Sequence, residues 1–184
     1  MNTTQYLGSI LDELRISETI SDSDAETLIH AVLEADKVFV AGAGRSGFMA
    51  KSFAMRLGHL GIPAHVPGET TTPGFEERDL MIIASGSGET KSLVSMAEKA
   101  KSLGGTVAAV TISPDSTIGN LADLKVKMPG APKDQSGDSG ETIQPMGSLF
   151  EQLLLLFFDA LILRIMEKKG MNTKKMYGKH ANLE

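Results

Sequence analysis

Short apolar runs alternate with amphipathic stretches along most of this chain. Uninterrupted apolar runs are typical of strands buried on both faces of a parallel sheet, whereas apolar residues spaced three or four positions apart indicate helices. The predicted strands are residues 38–41, 64–66, 80–84, 106–112 and 124–128. The last of them alternates Leu, Lys, Val, Lys and Met, a pattern typical of a half-exposed strand at a sheet edge.

Capping residues and helix breakers predict where the helices between these strands begin. In chain order, the predicted helix starts are Thr3 or Thr4, the capping box of residues 23–26, Phe48, Glu89, the Ser-Pro-Asp sequence of residues 113–115, Ser148, and Asn172 or Thr173. The helix from Ser148 is apolar nearly all round as far as Met166, but this run is shorter than the ~20 apolar residues that span a bilayer. We therefore expect it to be buried against the sheet and a partner subunit.

Strands that alternate with helices predict a parallel sheet covered by helices on both faces. The expected fold class is α/β: a single three-layer α/β/α domain with a five-stranded parallel sheet of flavodoxin-like type. Within this domain, residues 1–36 are expected to form N-terminal helices, residues 37–130 the sheet core, residues 131–146 a loop, and residues 147–184 the C-terminal helices. The polar stretch 129–141 fits a mobile lid and plain disorder equally well.

Composition excludes several classes of protein. The chain has 184 residues, a formal net charge of −5 and no cysteine. A disulfide framework and a thiolate metal site are therefore excluded, and no cluster of Lys and Arg indicates a nucleic-acid surface. Residues 1–5 lack the basic and apolar regions of a signal peptide, so we expect a soluble cytoplasmic protein that contacts neither nucleic acid nor membrane.

The third predicted strand is followed directly by the sequence Ser-Gly-Ser-Gly-Glu-Thr at residues 85–90. An anion site can form where a strand is followed along the chain by a turn of small residues and then by a helix N-terminus. The first helical N–H groups are unpaired, and glycine lets a phosphate approach the backbone. The hydroxyls of Ser85, Ser87 and Thr90 add donors at the same place. The alternative is an ordinary capped turn, since Ser and Gly are common in turns.

A second glycine-rich segment, Gly-Ala-Gly-Arg-Ser-Gly at residues 42–47, follows the first predicted strand. It satisfies the dinucleotide-binding fingerprint, and Glu69 lies roughly 20 residues beyond it, where a ribose-binding acid is expected. A nicotinamide-binding protein is therefore an alternative. Against it, the chain offers no second domain for a dehydrogenase substrate, and the fingerprint does not account for residues 85–90.

The Ser-x-Ser-Gly-x-Thr pattern of residues 85–90 resembles the phosphosugar-binding loop of the sugar isomerase (SIS) domain family. Four further segments resemble one branch of that family, the 6-phospho-3-hexuloisomerases. These segments are residues 42–47, Met-Arg-Leu-Gly-His at 55–59, Gln-Pro-Met-Gly-Ser-Leu-Phe-Glu at 144–151, and His-Ala-Asn-Leu-Glu at 180–184. The resemblance covers essentially the whole chain.

The resemblance implies an enzyme, an intramolecular oxidoreductase that interconverts D-arabino-3-hexulose 6-phosphate and D-fructose 6-phosphate through a cis-enediol. It implies a place in the ribulose monophosphate pathway of formaldehyde fixation and a homotetramer, or dimer of dimers, with shared active sites. The ligand is a small phosphosugar, and no cofactor or metal is expected. Two alternatives remain: a phosphosugar isomerase acting between ketose C2 and aldose C1, and a non-catalytic phosphosugar-binding SIS module.

The resemblance also implies which residues contact the substrate. The residues expected at the phosphate are Ser46, Ser85, Gly86, Ser87, Gly88, Glu89 and Thr90. Gly44 and Arg45 are expected nearby, although an isolated arginine after a loop is more often a surface or interface ion pair.

Moving a carbonyl between adjacent carbons requires a base, a donor to the enediolate oxygen and a group that opens the sugar ring. Glu151 matches the position of the family's catalytic glutamate and is the expected base. From the residues alone, Ser-Leu-Phe-Glu at 148–151 is a capping-box sequence, in which Glu151 would accept only from the Ser148 N–H.

Histidine suits ring opening, and the family often places a histidine from an adjacent subunit over the sugar. His180 and His59 are therefore both candidates, whereas His30 and His65 are expected to be structural. Glu69 is expected to fix its own loop rather than to contact the sugar.

Overall fold

In the computed structural model, which describes residues 1–130 and 142–178, five parallel strands form one central sheet. The strands are β1 (Val38–Gly42), β2 (Ala64–His65), β3 (Leu80–Ala84), β4 (Thr106–Thr111) and β5 (Leu124–Lys127). Their order across the sheet is β2-β1-β3-β4-β5, with parallel pairing throughout. This is the flavodoxin-like order, in which the strand sequence reverses at β1 and β3. The predicted fold class and the edge position of β5 are confirmed.

Helices cover the sheet on both faces. They are α1 (Thr3–Glu13), α2 (Asp22–Glu34), α3 (Gly44–His59), α4 (Lys91–Ser102), α5 (Thr117–Leu121), α6 (Ser148–Lys168) and α7 (Thr173–Tyr177), with a 3₁₀ helix at Leu14–Thr19 between α1 and α2. Successive strand side chains point to opposite faces. Val40 and Ile82 belong to the core with α2, α3 and α6, whereas Phe39 and Ile83 belong to the core with α4 and α5.

Aromatic stacking joins α3 to α6 beneath the site described below. The rings of Phe53 and Phe158 lie with their centroids 4.3 Å apart and their planes at 5°. The opposite side of α6 is open, since Leu156 and Leu163 are 47% and 67% exposed. The partner subunit expected to cover this side therefore stays a prediction. Across the described residues, none of the helices is long and apolar enough to cross a membrane.

Three predicted helix caps are wrong by one to three positions. The observed caps are Asn2 for α1 rather than Thr3 or Thr4, Ser21 for α2 rather than residues 23–26, and Ser116 for α5 rather than Ser113. In each case the side-chain oxygen accepts from the backbone N–H three residues later. Several neighbouring Ser, Thr and Asn residues compete for this role, and their sequence alone does not decide which oxygen reaches that N–H.

Helix α3 begins at Gly44, four residues before the predicted start at Phe48. A Cβ added to Gly47 would lie 2.7 Å from the Gly42 carbonyl oxygen, so the first helical turn packs directly on the end of β1. Residues 44–47 are therefore helical rather than a loop, which brings Ser46 into the first turn. The predicted starts of α6 at Ser148 and of α7 after Asn172 are confirmed.

An ion-pair cluster fastens α2 to α6. Glu26 accepts from Arg164 Nε at 2.6 Å and pairs with Lys168 Nζ at 2.9 Å. Hydrogen bonds from Arg164 and Lys168 lower the pKa of Glu26 from 4.5 to about 2. A carboxylate whose pKa is depressed on folding stabilises the folded state above its unfolded pKa, and this contribution is lost as the pH falls toward the folded pKa.

We expect Glu26→Gln to lower the urea midpoint of unfolding modestly at pH 7. The difference from wild type should shrink below a pH of about 4.5 and be largely lost by about pH 2, because Glu26 is by then protonated in the unfolded state and increasingly protonated in the folded state. Glu18→Gln, at an exposed acid of the 3₁₀ helix, is the control and should show no such pattern. A Glu26→Gln difference that stays constant from pH 7 to pH 2.5 would contradict this account.

Candidate active site

Both glycine-rich segments lie at the carboxyl edge of the sheet. In the pairing of β1 with β3, Gly42 is opposite Ala84, so the chain leaves both strands at the same level. A cavity of about 190 Å³ lies between the two segments and the start of α6. Its lining includes Gly44, Ser46, Ser85, Gly86, Ser87 and Thr90 from the segments, and Gly147 and Phe150 from α6. The strand order reverses at this point, which is where open α/β sheets bind ligands.

Three helices begin at this cavity without a side-chain cap. The N-caps of α3, α4 and α6 are Ala43, Thr90 and Gly147; none of them makes a side-chain capping hydrogen bond, and all three line the cavity. By contrast, α1, α2, α5 and α7, whose N-termini lie elsewhere, are capped by a side chain. Helix N-terminal N–H groups that no side chain caps can bind an anion, and the helix dipole favours one. The cavity is therefore suited to a phosphate group.

The hydroxyls of residues 85–90 are arranged around their own backbone. Ser85 Oγ accepts from the Gly88 N–H at 3.1 Å and lies 3.4 Å from Thr90 Oγ1, while Ser87 Oγ accepts from the Glu89 N–H at 3.2 Å. A hydroxyl that accepts one hydrogen bond still has its own proton to donate. These side chains therefore fix the loop and present donors to the cavity at the same time.

The side chain of Glu89 is hydrogen-bonded to Thr117. Its two carboxylate oxygens accept from Thr117 N and Thr117 Oγ1, both at 2.8 Å. The backbone hydrogen bond from Thr117, with the side-chain one, lowers the pKa of Glu89. An ionised carboxylate repels phosphate, so the expected contact of Glu89 with the phosphate stays a prediction that concerns its backbone rather than its side chain. Its side chain ties the loop to the start of α5.

Glu151 lies in the first turn of α6, beside Phe150, and only 2% of its surface is exposed. Arg45 Nη1 lies 3.0 Å from Glu151 Oε2 and donates to Ser148 Oγ at 2.8 Å. The capping-box alternative for Glu151 is wrong, because the N-cap of α6 is Gly147 and the Ser148 N–H donates to Pro145 O. Arg45 does form an ion pair, but its partner is the buried Glu151 rather than a surface acid, and its expected place near the sugar stays a prediction.

The three histidines that the structure describes do not line the cavity. His59 lies in the last turn of α3, where its Nδ1 is 3.4 Å from Arg56 Nη1. It is 13 residues from Ser46 on the same helix, a separation of about 20 Å at 1.5 Å per residue. His65 packs against the ring of Phe39, as expected of a structural residue, and His30 is exposed on α2. His180 lies outside the described residues.

Glu69 has a partner remote from the cavity. Its Oε1 lies 3.3 Å from Lys51 Nζ on α3, which fits the expected role of fixing its loop. Within residues 1–130 and 142–178, no group of three or more His, Cys, Asp or Glu side chains could hold a metal ion. The site described here therefore consists of helix N-termini, hydroxyls and a buried acid paired with a half-exposed arginine.

Comparison with known proteins agrees with this geometry. The SIS domain family model matches residues 32–156. The 3-hexulose-6-phosphate isomerase of Bacillus subtilis is 60% identical over 185 residues, which cover 100% of both chains. The Mycobacterium gastri protein of that name is 40% identical, over 98% of this chain and 91% of its own. The chain belongs to the SIS domain family.

A solved structure from Methanococcus jannaschii, for which a 3-hexulose-6-phosphate isomerase function was inferred, superposes with a TM-score of 0.84 at 33% identity. The alignment covers 98% of this chain and 99% of that one. The resemblance to the SIS family and to its hexuloisomerase branch is therefore confirmed. The glycine pattern of residues 42–47 lies within the SIS match, which accounts for it without a dinucleotide.

Sequence patterns missed the connection between Arg45 and α6. Arg45 and Ser148 are 103 positions apart, and nothing local in either segment indicates the other. Phe150, which lines the cavity, was also missed, because a Phe in an apolar helix predicts only burial.

The backbone of Gly88 provides a test of the anion site. Gly88 has a φ of +65°, and a Cβ there would lie 1.8 Å from Ser116 Oγ. We expect Gly88→Ala to displace the loop and to weaken the binding of inorganic phosphate at least tenfold, since strain of roughly 1–2 kcal/mol is about one order of magnitude in affinity. Phosphate titration followed by NMR measures this. Gly74→Ala, where a Cβ meets open space, is the matched control and should bind normally; equal affinities for both variants would contradict the assignment.

Proposed function

We propose that this chain is a 3-hexulose-6-phosphate isomerase that interconverts D-arabino-3-hexulose 6-phosphate and D-fructose 6-phosphate. The observation that carries the proposal is the buried Glu151 carboxylate, held by Arg45 beside an anion cavity built from helix N-termini. The 60% identity to the Bacillus subtilis isomerase, over the full length of both chains, supports this choice of substrate. The reaction belongs to the ribulose monophosphate route of formaldehyde fixation.

In this proposal the phosphate binds at the N-termini of α3 and α4. Ser46, Ser85, Ser87 and Thr90 donate hydroxyl protons to it, and the backbone of residues 86–89 surrounds it. Binding the phosphate end fixes the direction of the sugar chain, so that its reacting carbons approach the start of α6. Holding a substrate in a reactive geometry lowers the barrier by itself, before any proton moves.

Glu151 then moves the proton. It removes the hydrogen from C2 of the 3-hexulose, the electron pair of that C–H bond forms the C2=C3 double bond, and the carbonyl oxygen on C3 gains a proton. Return of a proton from Glu151 to C3, with loss of the O2 proton, gives the C2 ketone of fructose 6-phosphate. Arg45 neutralises Glu151 and, with Gly44, lies close to the sugar. The reaction as written consumes no metal or cofactor.

Ring opening needs a further acid–base group. Among the described residues, no histidine lines the cavity. We assign this step to His180, with His59 as the second candidate. His59 is too far along α3 to serve its own cavity, so it would act only in the site of a neighbouring copy.

Shared sites require an assembly, and we propose a homotetramer, or dimer of dimers. Helix α1 has no buried residue, and its Tyr6, Leu7 and Leu11 are each about half exposed. A groove of about 660 Å³ between α2 and α6 includes Leu156 and Phe157 in its lining. Exposed apolar surface of this kind indicates a protein interface. We also propose a cytoplasmic location, since a doubly charged phosphosugar does not cross membranes freely.

We expect the wild-type enzyme in D2O, with a chelator present, to introduce deuterium at C3 of fructose 6-phosphate. Glu151→Gln should abolish this exchange, a loss of at least 10³-fold, because the amide cannot take the carbon-bound proton. It should still bind the phosphosugar. Proton NMR follows the exchange, and Glu167→Gln, an exposed acid on the same helix, is the control that should exchange normally.

The position of the deuterium separates the alternatives. Exchange at C1 would move the enzyme to the ketose–aldose isomerases, while binding without exchange in the wild type would indicate a phosphosugar-binding module. A fully active Glu151→Gln enzyme would remove the proposed base.

Shared sites predict complementation between inactive variants. Glu151→Gln and His180→Ala should each be inactive alone, but hetero-oligomers formed on co-expression should recover up to about a quarter to a half of wild-type activity, because some sites then combine an intact Glu151 with an intact His180 of another copy. Mixtures of Glu151→Gln with His59→Ala test the second candidate. Hetero-oligomers that form and stay inactive in both pairings would show that each site is built from one chain.

A further inference from the structure

The turn that precedes Glu151 contains a residue in an unfavourable backbone conformation. Met146 has a φ of 60° and is the only residue other than glycine with a positive φ in residues 1–130 and 142–178. Gly147, the N-cap of α6, follows with a φ of 78°. A side-chain-bearing residue keeps such a conformation only where its surroundings hold it there. The position of the α6 N-terminus therefore depends on what anchors residues 142–147.

One anchor lies at the downstream end of this turn. Ser148 donates to Pro145 O through both its backbone N–H, at 3.0 Å, and its hydroxyl, at 2.7 Å. Arg45 donates to the same hydroxyl oxygen. These contacts close the turn on itself and on α3, but they do not fix its upstream end.

The upstream end is held by Glu13, the last residue of α1. Its carboxylate accepts from Thr142 Oγ1 at 2.6 Å, from the Ile143 N–H at 2.7 Å and from Gln144 Nε2 at 2.9 Å. The Gln144 N–H in turn donates to Thr142 Oγ1, and Gln144 is 5% exposed. All three donors lie about 130 positions away in sequence from the acid that receives them.

This arrangement does not serve helix α1 itself. A negative charge at a helix C-terminus is opposed by the helix dipole. Burial raises the pKa of Glu13, but the hydrogen bonds from Thr142, Ile143 and Gln144 outweigh it and leave the pKa below its usual value. Glu13 is therefore ionised, and both of its carboxylate oxygens accept hydrogen bonds from residues 142–144, the segment that leads to Glu151.

We propose that Glu13 is a positioning residue for the isomerisation. By holding residues 142–144 it fixes the strained Met146–Gly147 turn, and that turn sets where Gly147, Phe150 and Glu151 stand relative to the cavity. The inference rests on the proposed role of Glu151 as the base. It concerns a residue that contacts neither the phosphate loop nor, in the described structure, Glu151 itself.

Kinetics distinguish positioning from general stability. We expect Glu13→Ala to lower kcat for fructose 6-phosphate about tenfold to a hundredfold, since a displacement of about 1 Å costs that much, while KM changes less than about twofold because the phosphate loop belongs to other elements. Glu13→Asp keeps the acceptors and should recover part of kcat. Asp12→Ala is the matched control, because Asp12 is a neighbouring exposed acid that pairs only loosely with Arg15 at 3.7 Å and should behave as wild type.

A second variant tests the same contact from the other side. Thr142→Val removes one donor to Glu13 and should lower kcat less than Glu13→Ala. Added to Glu13→Ala it should cause no further fall, because both substitutions break one network. This variant also decides the question if Glu13→Ala fails to fold.

Hydrogen exchange gives a readout that does not depend on catalysis. Amides of residues 142–150 should exchange faster in Glu13→Ala than in Asp12→Ala, with the 85–90 loop unchanged. If the wild type lacks isomerase activity, the proposed function fails. The difference in hydrogen exchange between Glu13→Ala and Asp12→Ala would still establish that Glu13 anchors residues 142–150. A wild-type kcat and unchanged exchange in Glu13→Ala would overturn the proposal, as would a parallel loss of kcat, phosphosugar affinity and thermal stability that Glu13→Asp does not restore.

Discussion

The structure of this site depends on helix N-termini that no side chain caps. Ala43, Thr90 and Gly147 are small or polar residues in extended or left-handed conformations, and each begins a helix at the same cavity. An uncapped helix start leaves backbone N–H groups without protein acceptors. Three such starts meet at one cavity, and in the proposal a single phosphate group is bound by those of α3 and α4 while the sugar lies toward that of α6. This explains how a chain with a net charge of −5 can present a phosphate site without a cluster of lysines.

The same arrangement creates an electrostatic conflict, and Arg45 resolves it. The proposed base is a carboxylate, and a buried carboxylate beside a bound phosphate would place like charges close together. Arg45 leaves the first turn of α3, next to the phosphate position, and reaches Glu151 at the start of α6. One guanidinium thus pairs with the proposed base and binds Ser148, while the proposed phosphate contacts are neutral donors. The Glu151 carboxylate is thus paired with a cation, whereas the phosphate would be bound by uncharged N–H and hydroxyl groups.

The sheet, its edge strand and the anion loop could be predicted because their signals are local. An apolar run such as residues 80–84 followed by Ser and Gly at 85–90 gives strand, turn and helix without knowledge of the rest of the chain. The links from Arg45 to α6 and from Glu13 to Thr142 could not be predicted, since pairs of polar residues more than 100 positions apart have no periodicity. The start of α3 was misplaced for a different reason. Close contact of Gly42 with Gly47, rather than a capping side chain, decides where this helix begins.

Helix α1 connects the proposed assembly to the proposed chemistry. It has no buried residue in the chain as described, so its position depends on its C-terminal end and on whatever covers Tyr6, Leu7 and Leu11. Its last residue, Glu13, is also the anchor of the turn before Glu151. A second copy that packs on α1 would therefore immobilise Glu13 and, through Gln144 and the Met146–Gly147 turn, the start of α6. In this arrangement the contacts of Glu13 with residues 142–144 connect the exposed surface of α1 to the proposed base. Under the proposed function, assembly would then contribute twice, by supplying the proposed ring-opening histidine and by reinforcing the position of the proposed base.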